Sequence, residues 1–124
     1  MTLEELYREI GGSYERAISV LRVEKLVDKH IRKLTKNGVV DRMIAAKADM
    51  DPTELFESAH AMKGVCGNLG LTGLAEAASE IAEEFRPGNP RSIPDSEVAA
   101  RIDRIAELYE RTAAGIGKYE QEAG

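Results

Sequence analysis

The sequence predicts an all-α protein: an up-and-down antiparallel four-helix bundle with additional short helices at its N-terminus. Three observations carry this expectation. Apolar residues recur at spacings of three and four along most of the 124-residue chain. The breaks between these stretches hold Gly, Pro or Asn, which stop helices. No stretch sustains the alternation of a strand. A chain of this length can bury one core. A single helical domain is therefore expected over 1–124, with short helices in 1–21, the bundle over 23–118 and a Pro-rich loop at 87–94.

Each element has its own signals. Thr2 and Glu5 have the spacing of a capping box, and Leu3, Leu6, Tyr7 and Ile10 mark one face of a short helix that Gly11 and Gly12 stop. Ser13 can cap a second, with Tyr14, Ala17, Ile18 and Leu21 on one side. Short helices of this kind often lid one end of a bundle. From about Val23 to Lys36 the stripe is Val23, Leu26, Val27, His30, Ile31 and Leu34, and His30 in its middle is expected to be packed or partly buried and neutral. Asn37 and Gly38 close that helix, and Val39–Ala48 forms the next, with Val40, Met43 and Ile44 on one face and Lys47 snorkelling from its edge.

Asp51, Pro52 and Glu54 supply an N-cap, a first-turn proline and the third position of a capping box. Leu55, Ala59, Met62, Cys66 and Leu69 then form an apolar stripe that ends at Gly70. Leu71, Leu74, Ala75, Ala78, Ile81, Ala82 and Phe85 make the stripe of a following antiparallel helix, with Glu80, Glu83 and Glu84 expected on a solvated face. Three prolines within residues 87–94 forbid helix there. The last helix begins near Asp95 or Ser96. It carries Val98, Ile102, Ile105, Tyr109, Thr112 and Ile116, and the tail after Lys118 is expected to fray.

Composition narrows the function. The formal charge is −5, 31% of residues are charged, and no basic patch stands out, which argues against nucleic-acid binding. The single cysteine, Cys66, excludes an internal disulfide and falls on a core stripe. No signal peptide and no membrane-spanning run occur, so a soluble, cytoplasmic protein is expected. The core suffices for a monomer. Met1 and the expected frayed tail favour a complete chain.

Chemistry concentrates in the stretch from Ser58 to Gly70. At about 100° per residue, His60 lies roughly 140° from the centre of the apolar stripe, so it points mostly to solvent. Gly64 and Gly67 follow one and two turns later on the same face. A glycine inside a helix costs roughly 0.5–1 kcal/mol relative to alanine. Two on one exposed face imply that side chains are unwelcome there and that a large partner comes close. Close packing inside the protein is the competing explanation, and it suits Gly67 or Gly70 better than Gly64. Phe56, one turn before His60, lies near this face and suits a docking patch. Glu57, Ala61 and Asn68 are further candidates for that surface.

Lys63, three residues after His60, can reach a group attached to the imidazole, and a phosphoryl group there would be favoured by the cation. A neutral imidazole is nucleophilic, and the labile P–N bond of the phosphohistidine it forms lets the group move on. No carboxylate flanks His60 as in a triad, and neither a metal cluster nor an obvious general base stands out. The chain thus offers a nucleophile and little catalysis of its own. Mg²⁺ and acidic groups would come from a partner.

Ala59-His60-Ala61-Met62-Lys63-Gly64, followed by Asn68-Leu69-Gly70, closely resembles the signature of histidine-containing phosphotransfer (HPt) domains. Helix number and length extend the resemblance over most of the chain. It implies a helical bundle that shuttles phosphoryl groups between receiver-domain aspartates in a multistep phosphorelay. His60 would be the phosphoacceptor, Lys63 would support the phosphoryl group and Gly64 would give the receiver room. The partners implied are receiver domains of hybrid histidine kinases and of response regulators, with no cofactor of the chain's own. Family members often hold the histidine with a glutamine from the next helix; the corresponding position here is Ala82, and Ser79 or Glu83 can substitute. Two alternatives stay open: a docking module that is no longer phosphorylated, and the phosphoacceptor domain of a chemotaxis-type histidine kinase. A kinase in its own right would need a Gly-rich nucleotide loop that the chain lacks.

Overall fold

The structure, a computed structural model, describes residues 1–123. It is all-α, and within those residues it holds seven helices: α1 (Leu3–Ile10), α2 (Tyr14–Leu21), α3 (Glu24–Leu34), α4 (Val39–Ala45), α5 (Pro52–Asn68), α6 (Thr72–Glu84) and α7 (Asp95–Ala123). Four edges make the bundle. The 29-residue α7 is about 43 Å long at 1.5 Å per residue, too long for either α3 or α4 to match. These two follow one another along it. Tyr119 donates to Asp28 and Lys36 pairs with Glu120 at one end, while Lys47 reaches Asp103 at 2.6 Å further down. Arg42 of α4 grips Glu54 of α5 at 2.7 Å. Arg101 of α7 meets Glu80, and Leu108 lies over Gly73, so α6 and α7 run antiparallel.

The apolar stripes meet in one core. Leu55, Ala59, Met62 and Cys66 of α5 face Leu74, Ala78 and Ile81 of α6, Val98, Ile102, Ile105 and Ile116 of α7, and Val40 and Met43 of α4. Burial raises the Cys66 thiol to about 12, so it packs as a small hydrophobe. Ser58, unmarked by hydropathy, is also fully buried; its hydroxyl is satisfied by the Glu54 carbonyl at 2.7 Å.

The N-terminal helices clamp the corner between α5 and α6. Gly70 takes a left-handed φ of 69°. Leu71 N–H bonds the Cys66 carbonyl and Gly70 N–H the Gly67 carbonyl, which together form a Schellman motif. The Gly70 carbonyl accepts from Ser13 N–H at 2.8 Å, and the buried Tyr7 hydroxyl donates to the Leu69 carbonyl at 2.6 Å.

Four expectations need correction. His30 is exposed, as are Val23 (51%) and Leu26 (38%). The apolar arc of α3 is wider than the face the helix buries, which takes only Val27, Ile31 and Leu34. Glu84 is buried, not solvated. It accepts from Ser92 N–H, the Ser92 hydroxyl, Ile93 N–H and Arg91, and so anchors the Pro-rich loop. Those hydrogen bonds, Ser92 foremost, hold its carboxyl down at about 2. The tail does not fray at Lys118: α7 continues to Ala123, and Glu9 of α1, Asp28 of α3 and Lys36 just beyond α3 hold Lys118, Tyr119 and Glu120. At the start of α5, Asp51 accepts from Glu54 N–H at 2.9 Å, but the Glu54 side chain turns to Arg42, leaving half a capping box.

Candidate functional site

The outward face of α5 carries the candidate residues. Asp51 and Pro52 start the helix, and the buried stripe from Leu55 to Cys66 fixes its rotation against the core. The same rotation turns His60 outward, and its side chain is exposed. Phe56, one turn earlier, is half-buried against the core and stacks on the imidazole, with ring centroids 5.6 Å apart and planes 23° from parallel.

The glycines separate into two kinds. A Cβ built at Gly64 or at Gly67 meets nothing within 4 Å, so neither is small to make room for another part of this chain. Packing therefore does not explain them. At Gly70 a Cβ would collide with the Ser13 carbonyl, and the φ is left-handed as well. Gly70 belongs to the scaffold; Gly64 and Gly67 leave a bare backbone strip beside His60.

Two helices flank this strip. On one side Lys63 is exposed and lies within electrostatic reach of Glu83 on α6. The Glu83 carboxyl is held below its ordinary range mainly by its hydrogen bond with Arg86, with Lys63 a smaller contributor. On the other side Ala61 is half-buried, Glu57 is exposed with Arg42 at 3.6 Å, and Asn68 is exposed. Asn68 and Val65 border a groove of about 290 Å³ against α3, whose far wall includes Leu21, His30 and Lys33. The sequence did not mark this groove. Its lining comes from α2, α3 and α5, which no single helical stripe brings together.

Ala82, where the family resemblance would place a glutamine, is buried and carries no polar side-chain atom. Among the described residues no group of three or more His, Cys, Asp or Glu side chains could hold a metal ion. No helix of the described residues is long and apolar enough to cross a membrane.

The arrangement is an exposed imidazole with an aromatic platform, a cation one turn on, and a cleared approach over two further turns. It can accept a group delivered by a large partner. No curated protein and no solved structure matches the chain. The family model described as the Hpt domain matches residues 21–115, spanning α3 to most of α7, and the chain therefore belongs to the Hpt domain family.

Proposed function

We propose that the protein is a phosphocarrier of a multistep phosphorelay, in which His60 takes a phosphoryl group from a receiver-domain aspartate and passes it to another. Membership in the Hpt family makes the chain a histidine phosphotransfer module. The assignment to His60 rests on one observation above the rest: it stands exposed beside two glycines whose Cβ positions are open.

The step balances without further reagents. A ring nitrogen of neutral His60 attacks phosphorus, the P–O bond to the receiver's aspartate breaks, and the carboxylate leaves with the electron pair. The proton on the other ring nitrogen is free to pass to water. Lys63 supports the phosphoryl charge, while Gly64 and Gly67 admit the receiver. Glu57, Ala61 and Asn68 border its footprint. Mg²⁺ belongs to the receiver, and the chain supplies no catalytic machinery beyond the nucleophile and the cation. It works as a single domain and as a monomer, with α1 and α2 as the lid of the bundle.

The test is transfer from a phosphorylated receiver to the wild-type chain and to His60→Gln. Label that is acid-labile, base-stable and missing from the mutant supports the carrier. A folded chain that binds receivers and takes no label from any of them would instead be a docking module.

A further inference from the structure

We propose that Phe56 is the positioning residue for His60, fixing the plane of the imidazole by stacking; the proposal rests on His60 being the acceptor. Across on α6, Ala82 carries no polar atom and Glu83 is taken by Arg86. Among the described residues the imidazole has no hydrogen-bond partner, and its aromatic neighbour is Phe56.

Phe56 suits the role because it is itself held. It is half-buried and packed against the core, while the ring it supports is exposed. The platform is therefore ordered before a partner arrives, and the spacing of four residues sets one ring above the other. Stacking has a further consequence. The lone pair of an imidazole nitrogen lies in the ring plane, perpendicular to the stacking direction. A stacked ring is thus restrained in tilt with both nitrogens left free, whereas a hydrogen bond would occupy one of them and select a tautomer. In-line attack on phosphorus needs that plane aligned, so removing the platform should slow the transfer step and leave encounter alone.

The experiment compares Phe56→Leu and Phe56→Tyr in the full chain by two readouts. One is the shift of the His60 ring protons in the unphosphorylated protein, read by NMR. The other is kcat against KM for transfer from a phosphorylated receiver. Phe56→Leu should move the ring resonances and lower kcat about three- to tenfold with KM nearly unchanged; Phe56→Tyr should retain both. Unmoved resonances, an unchanged kcat in Phe56→Leu, or a loss confined to KM would overturn the proposal. The two readings separate cleanly. A wild-type chain that takes no label counts against His60 as acceptor, while the ring shifts still decide whether Phe56 orients it.

Discussion

His30 and His60 invite comparison, because they share more than their exposure. Each has a lysine three residues on, Lys33 and Lys63, and each has a large apolar residue four before, Leu26 and Phe56. They part company after that. Four residues on from His30 stands Leu34, buried in the core; four on from His60 stands Gly64, with open space where a side chain would be. Seven on, the residues are Asn37 and Gly67. His30 lines a groove, and His60 stands on a strip of bare helix. An exposed imidazole with a cation in reach does not by itself make an acceptor site. Room for the partner's backbone and a platform for the ring distinguish the two.

The largest expected effect falls on the scaffold that both histidines share. Gly70→Ala should lower unfolding free energy by about 2–4 kcal/mol, because it combines a left-handed φ with a collision against backbone. Chemical denaturation checks this, and an unchanged midpoint would remove Gly70 from the scaffold. Gly64→Gln should do the reverse. Stability should hold or rise by about 0.5 kcal/mol from better helix propensity, while transfer falls about tenfold or more. If transfer simply followed stability, the two variants would exchange their effects on it.

A smaller effect is expected from the lysines. Lys63→Ala should shorten phosphohistidine lifetime or slow transfer by a few-fold, the order of one charge-assisted contact at an exposed site. Lys33→Ala should change neither, and equal effects would erase the distinction between the histidines.

Acid tests a contact far from both histidines, the anchor of the Pro-rich loop. The Glu84 carboxyl is depressed in the folded state to about 2 from an ordinary value of 4.5. Its contribution to stability is therefore complete above the unfolded value and is lost as pH falls from about 4.5 toward 2. Glu84→Gln should flatten that part of the stability–pH curve, and an unaltered curve would show that the loop anchor contributes nothing.

Much of this was legible in the sequence, for a reason that also marks the limits. The α5 stripe, the outward His60 and the two glycines follow from a 3.6-residue period, and α5 buries every residue of its stripe. Periodicity cannot say how much of a wide apolar arc a neighbour covers, so Val23, Leu26 and His30 at the start and middle of α3 read as core in the sequence. Glu84 was hidden because its partners are loop N–H groups, which no helical spacing reveals. The end of α7 was hidden because its order depends on distant partners, Tyr119 on Asp28 and Lys36 on Glu120. Phe56 was placed near the right face, but only side-chain geometry shows it lying on the imidazole.

The open strip on α5 is proposed to mark the acceptor. The most direct measurement is phosphotransfer from one phosphorylated receiver to the wild-type chain, His60→Gln and His30→Gln, with label followed through acid and base. Acid-labile, base-stable label is expected on wild type and on His30→Gln, and none on His60→Gln. Label retained by His60→Gln and lost from His30→Gln would place the acceptor in the groove and contradict that proposal.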